Sequence, residues 1–356
     1  MKNYCIVILF CLTATILFAQ ADTSKDSISE KLLFSNKAET EKWLIKNNIP
    51  ALGIGYIEDG KIKEAKVYGF LEKGRPAPNN AIFTIASLTK PITAMVVLKL
   101  IDAGKWSLDE PIYKYWLDPD LMNDPRVKTL TTRFILSHRS GFPNWRSENA
   151  DNKLSFIAEP GTKYHYSGEG FEYLRKAVER KFGKSLDLLA NELIFQPAQM
   201  NDTKFFWGAG IDETRFAKPY DKDGNLYNDA SINSKSASAA FGVLTTVKDY
   251  SRFLIFVMNG AGIKKKLYDE MVADQTQIKA HQYYGLGWMV DEIEDENVIT
   301  HGGVGKGTQT IIFMLPRSKK GLVIFTNSGN GGDAYIPVIQ KYLGKKGREI
   351  IDVETK

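Results

Sequence analysis

Cysteine is almost missing from this chain of 356 residues: Cys5 and Cys11 are the only two, and both fall in its first apolar run. Beyond that run no thiol is available for a disulfide, a metal or a nucleophilic attack. Histidine is nearly as scarce, with four residues and no H-x-H or H-E-x-x-H spacing, so neither a metal site nor another cofactor is expected. Strong charge is lacking as well, since 47 basic and 42 acidic residues leave a net +5. The basic clusters "IKKKLYDE" and "GKKGRE" read as solvated surface, which excludes a nucleic-acid footprint. "GVGKG" (Gly303–Gly307) lacks the Ser or Thr and the spacing of a phosphate loop. Internal repeats and low-complexity tracts are absent.

What is present begins with "MKNYCIVILFCLTATILFAQA". One charge (Lys2), an apolar stretch from Cys5 to Phe18 and Ala19-Gln20-Ala21 make up a secretory signal with an A-x-A-type cleavage site. The stretch is short for a membrane span, which needs about 20 residues, and bulky Phe10 before Cys11 argues against a lipid anchor. The expectation is a signal peptide over 1–21 and export to the periplasm or beyond the cell, with no stable span after removal. Oligomeric state is not readable. The remaining length suits two domains or one bilobal unit, the latter being the expectation, with a large core and no staples.

Polar, helical residues 22–49 lead into "ALGIGYIEDGKIKEAKVYGF", two strands around Asp59-Gly60, a strong hairpin dipeptide. From about 105 to 235 helical segments alternate with turn-rich loops. A helix over "TTVKDYSRFLIFVMNG" follows, and then strand signals return in "YYGLGWMVDEI", "NVITHGG", "TQTIIFMLP" and "KGLVIFTNSG". "AYIPVIQKYLG" reads as the last helix. Strands at both ends and helices between them predict an α+β fold: an antiparallel sheet flanked by helices, built from 22–104 and 236–356, with an inserted all-helical lobe over 105–235. The cleft between lobes is the default site.

"IASLTKPITAMVVLKLI" (Ile85–Ile101) carries the chemistry. Pro91 is comfortable only in a helix's first turn, so the helix starts near Ser87, and "ITAMVVL" is apolar on every face, as in a buried helix. Ser87 and Lys90 then share one face of the first turn. A capping box would place Glu or Gln where Lys90 stands, and a helix's positive end disfavours a cation. Such a lysine, beside apolar neighbours, loses much of its preference for the charged form. An easily deprotonated amine next to a hydroxyl is a base next to a nucleophile. A serine cap with a solvated lysine is the plain alternative.

The same segment, extended to "TIASLTKPITAMVVLKLIDAGKWSLDEPI", resembles the nucleophile helix of the serine β-lactamase and penicillin-binding superfamily, in the branch of class C β-lactamases, D-Ala-D-Ala carboxypeptidases and related esterases. "ILSHRSGFP", "EPGTKYHYSGEGFEYL", "IFQPAQMNDTKF", "YGLGW" and "THGGVGKG" resemble that branch's later blocks, in order, over about 85 to 330. The resemblance implies Ser87 as the nucleophile of an acyl-enzyme and Lys90 as acceptor of its proton. It implies Tyr166 as general acid/base, made useful as a base by a nearby cation such as Lys90. His301 stands where relatives carry Lys or His, to orient Tyr166 or meet a substrate carboxylate. The backbone amides of Ser87 and Val304 would form the oxyanion hole, and Gly302 and Gly303 suit a strand that substrate approaches closely. His138 reads as a packing and hydrogen-bonding residue, and His165 as pointing away from Tyr166.

One position departs. Most relatives have asparagine two residues after the tyrosine, and here that residue is Gly168. Either a water or a neighbour such as Glu169 takes over, or the site handles substrates without that amide contact. The expected function is a cofactor-free exported serine hydrolase cleaving a small amide or ester, foremost a D-Ala-D-Ala carboxypeptidase or D-amino-acid peptidase. The alternatives are a carboxylesterase or class C-like β-lactamase, and a non-catalytic penicillin-binding or sensor protein.

Overall fold

The computed structural model describes residues 33–208, 210–227 and 234–356; the expected signal peptide and the polar segment up to residue 32 lie outside them. Among the described residues no helix is long and apolar enough to cross a membrane.

The chain enters through α1 (Lys37–Lys46), whose Asn36 side chain caps the amide of Glu39. It then forms the hairpin of β1 (Ala51–Glu58) and β2 (Lys61–Glu72). Asp59 and Gly60 both have positive φ (53° and 69°), the geometry that matches a two-residue turn to the right-handed twist of its strands. After β3 (Arg75–Pro76) and β4 (Phe83–Thr84), a 3-10 turn over Ala86–Leu88 opens into α2 (Thr89–Asp102). Ten consecutive residues of α2, Thr89–Leu98, are buried, as its all-round apolar sequence predicts. Truncating one of them, such as Leu98, to alanine would cost about 2–5 kcal/mol.

Among the described residues of 105–235 the named elements are helical, but the helices are short: α3 (Thr132–Leu136), α4 (Gly168–Phe182), α5 (Leu186–Ala190) and several 3-10 turns. Pro111, Pro119 and Pro125 sit at or beside the starts of these turns, where a missing amide hydrogen is tolerated but a long helix is not. The chain returns through β5 (Leu244–Thr245), which pairs with β4, then α6 (Val247–Met258) and α7 (Lys265–Met271). The strands β6 (Thr276–Lys279), β7 (Gln282–Tyr284), β8 (Met289–Glu292), β9 (Asn297–Gly305), β10 (Thr308–Leu315) and β11 (Lys320–Thr326) follow.

The main sheet has nine strands in the order β3-β2-β1-β11-β10-β9-β8-β7-β6, with all pairings antiparallel, so the first hairpin docks on the last strand of the chain. Val323 and Phe325 of β11 face α2 and α6, while Leu322 and Ile324 face the C-terminal helix α8 (Tyr335–Thr355). Burial on both faces explains why "GLVIFT" reads as a continuous apolar run rather than an alternating one. The expected last helix stops at Gly344. There the backbone does turn out of the helix (φ 57°), but the chain re-enters one and folds back, bringing Gly347 against the Ile339 carbonyl.

Candidate active site

The turn carrying Ser87 is held from three sides. Thr310 of β10 donates to the Ile85 carbonyl (3.0 Å), Tyr250 of α6 donates to the Leu88 carbonyl (2.9 Å), and the Val243 amide donates to the Thr89 hydroxyl (3.2 Å). Ala86, just before Ser87, has φ 47°, a conformation non-glycine residues adopt only when their surroundings enforce it. Ser87 makes no capping bond to the helix; its hydroxyl instead accepts from the Lys90 amine at 3.1 Å and lies close enough to the Tyr166 phenol to lower its proton affinity. The plain serine-cap alternative does not describe this turn.

Lys90 is 1% exposed. Its amine also donates to the Ala240 carbonyl (3.0 Å) and lies 4.7 Å from the centre of the Tyr166 ring. Burial pushes the amine down to about 7, against the opposing charge of Glu172. Burial also raises the Tyr166 phenol, more than Ser87 lowers it. The only influence opposing desolvation is Ser87, so Lys90 does not turn Tyr166 into a base, and Tyr166 stands as a proton-bearing phenol.

His138 arranges the tyrosine segment. It sits in a left-handed conformation (φ 53°) at the end of α3; its carbonyl accepts from the His165 amide (2.7 Å) and its Nδ1 from the Ser167 amide (3.0 Å). Its ring stacks on Tyr166 at 4.1 Å. Burial and the charge of Lys90 hold it well below the usual histidine value, in the neutral form. His165 is exposed.

His301 on β9 is 3% exposed. Its Nδ1 donates to the Gly302 carbonyl (2.7 Å), which leaves Nε2 to accept from the Tyr284 hydroxyl (2.7 Å). Burial and Lys90 push it down to about 3. Both nitrogens are engaged, and the ring centre lies 6.5 Å from that of Tyr166. Strand β8 pairs with β9 only over Asn297–Thr300, so among the described residues 301–305 have no partner strand on that side. This open edge runs past Ser87. A side chain on Gly303 would overlap the Ile85 carbonyl and the Thr310 hydroxyl, so glycine is what lets the strand lie against the nucleophile turn. Gly302 and the 57% exposed Val304 lie on the same edge.

Gly168 opens α4, with its amide on the Asn144 side chain (2.9 Å). A Cβ there would come within 2.5 Å of the Trp145 indole, which occupies the space an asparagine would need. Glu169 does not stand in for it: its carboxylate is bound to the Arg146 guanidinium (3.0 and 3.1 Å). Glu172, one turn further along α4, accepts from the Ser238 hydroxyl (2.5 Å), the Ala239 amide (2.8 Å) and Arg175 (2.8 Å).

Sequence reasoning missed Trp145, Glu172, Ala240 and Tyr284. Glu172 shares a helix face with Gly168, a spacing that pointed to it; Ala240 acts through its backbone, which leaves no trace in residue type. A cavity of about 510 Å³, lined by Lys279, His281, Glu292 and Asp352, involves none of the site residues. A smaller one of about 370 Å³ borders the site at Glu172, Ser238 and Phe241.

Known proteins resemble the chain over most of its length. The model of the family described as Beta-lactamase matches residues 33–338. Protein flp of Staphylococcus aureus (strain MW2) is 23% identical over 327 residues, 84% of this chain; the chain spans 63% of that relative's length, less than two thirds. Esterase EstB of Burkholderia gladioli is 31% identical over 178 residues, 42% of this chain and 44% of its own. The D-amino acid amidase of Ochrobactrum anthropi SV3 superposes with a TM-score of 0.71 at 20% identity, covering 90% of this chain and 98% of its own. The match to the family model extends over most of the chain, and the protein belongs to the beta-lactamase family.

Proposed function

We propose that this protein is an exported serine hydrolase that cleaves a small amide or ester through an acyl-enzyme on Ser87, with a D-amino-acid peptide of the D-Ala-D-Ala type as the foremost substrate class. The observation that carries the reading is the position of the Ser87 hydroxyl, which accepts from the Lys90 amine at 3.1 Å and acts on the neighbouring Tyr166 phenol. An amine near 7 takes the hydroxyl proton as Ser87 Oγ attacks the substrate carbonyl. The Tyr166 phenol hands its proton to the departing amine or alkoxide and recovers one through Lys90. Water then cleaves the acyl ester by the reverse relay. The amides of Ser87 and Val304 are the proposed donors to the oxyanion. His301, neutral and tied to Tyr284, shapes the open edge rather than supplying charge.

The D-amino acid amidase likeness supports an amide substrate. A carboxylesterase is the second reading, favoured by the Trp145 indole over Gly168, which removes a side-chain contact to a substrate amide, and by the likeness to EstB. Export rests on the first 21 residues.

The test is intact mass after exposure to a fluorophosphonate and, separately, to a penicillin. A single adduct on wild type and none on Ser87→Ala is expected; a wild type that forms no adduct with either reagent would sink the reading. Turnover of a D-Ala-D-Ala peptide against a short p-nitrophenyl ester then separates the two substrate classes.

A further inference from the structure

With Gly168 bare and capped by Trp145, the Lys90 amine needs another fixed acceptor, and the described structure provides one: the Ala240 carbonyl at 3.0 Å. That carbonyl lies on an irregular segment, not on a strand or helix, so something else must fix it. The Glu172 carboxylate takes the Ser238 hydroxyl and the Ala239 amide on one oxygen, while the Ser238 hydroxyl accepts from the amides of Ala240 and Phe241. Arg175 holds the other oxygen. The neighbouring Ala239 carbonyl is meanwhile pinned to α2 by the Thr93 hydroxyl at 2.8 Å.

We propose that Glu172 is a positioning residue of the acylation step: through Ser238 and Ala239 it holds the Ala240 carbonyl on the Lys90 amine, and its negative charge favours the protonated amine. The inference rests on the function proposed above. The groups facing Lys90 are the hydroxyl of Ser87, the rings of Tyr166 and of Phe171 on α4, the neutral imidazoles of His138 at the end of α3 and His301 on β9, and Glu172 through its charge. Glu172 is the acidic group acting on the amine, and Arg175 beside it attenuates its charge. Through one carboxylate, then, α4 supplies both the geometry and part of the proton affinity of a base on α2.

The two contributions separate in two variants. Glu172→Gln keeps an acceptor oxygen for Ser238 and loses the charge. The acid limb of kcat/KM for a p-nitrophenyl ester, set by Lys90, should then move to lower pH by about half a unit or more. Ser238→Ala keeps the charge and loosens the carbonyl; kcat should fall about three- to tenfold with the limb unmoved. A purely structural carboxylate would lower the melting temperature and leave the limb in place. An E172Q profile that overlays the wild-type one overturns the inference, and if E172Q does not fold, wild-type kcat in S238A overturns it. Fluorophosphonate labelling of the wild type separates this failure from that of the underlying reading. An enzyme that labels at Ser87 yet keeps its limb in E172Q sinks the role of Glu172 alone.

Discussion

The indole of Trp145 fills the space over Gly168: a side chain there would begin 2.5 Å from its ring. The glycine and the tryptophan are one packing unit, so changing either should be felt through the other. Gly168→Ala is expected to destabilise the protein by about 1–3 kcal/mol through overpacking. Combining it with Trp145→Leu should recover much of that loss, a non-additivity that denaturant unfolding of the single and double variants measures. An alanine tolerated at full stability would mean that the indole is free to move aside.

Gly303 is constrained by backbone as well as by a side chain: besides overlapping the Thr310 hydroxyl, a Cβ would press on two backbone groups, the Ile85 carbonyl and, at 3.2 Å, the Leu88 amide. Neither can yield without moving the turn that carries Ser87. Displacing a nucleophile by about 1 Å can cost 100-fold in rate. Gly303→Ala should therefore lose about two orders of magnitude in the single-turnover rate of fluorophosphonate labelling, with its circular dichroism unchanged. Labelling within about threefold of wild type would refute the constraint.

The Asp59-Gly60 hairpin, the buried helix after Ser87 and the closing strands were legible because each is a local pattern: a turn dipeptide, a first-turn proline, apolar runs. Ser87, Lys90 and Tyr166 were legible for a related reason, since a lysine in the wrong electrostatic place and a motif in family order both survive in one dimension. Gly344 misled, because a glycine that ends one helix looks the same whether the chain stops or turns back. Trp145 over Gly168 and Ala240 on Lys90 arise from contacts between distant segments, the second through a backbone atom. The sense of the Tyr166 shift depended on how deeply the phenol is desolvated, and no spacing reports that.

Lys90 predicts the pH dependence of the reaction. With its amine brought down to about 7, the neutral base accumulates above that pH, so acylation should rise through a limb near 7 and level off. A pH profile of the single-turnover labelling rate checks this. A limb near the ordinary lysine value of about 10.4 would contradict the buried, desolvated amine.

Far from the site, Asp291 on β8 and Glu354 near the end of α8 are buried against each other, with Gln282 donating to Asp291 at 2.8 Å and the Lys279 amine nearby. Burial raises both acids, Asp291 to about 6. As pH climbs past the unfolded carboxyl values, the folded pair keeps protons that the unfolded chain has released, so stability is lost as pH rises. Glu354→Gln imitates the protonated acid and removes that loss. Its melting temperature should equal or trail the wild type's near pH 4 and exceed it near pH 8; a difference independent of pH would rule out the buried pair as its source.

His138 and His301 predict the opposite slope over a lower window. Both are buried and neutral, His301 held down to about 3 and His138 well below its usual value. An unfolded histidine takes up its proton near 6.5. As pH falls from there towards 3, the unfolded chain binds protons that the folded one refuses, and stability declines by about 1.4 kcal/mol per pH unit for each histidine. Urea unfolding across this range should show a slope approaching two protons from this pair, on top of that of the carboxylates. His301→Gln retains a neutral hydrogen-bonding side chain beside Tyr284 and Gly302 and should remove about one of them. If the variant keeps the full slope, His301 titrates normally in the folded protein, and the desolvated setting that neutralises Lys90 does not extend to β9.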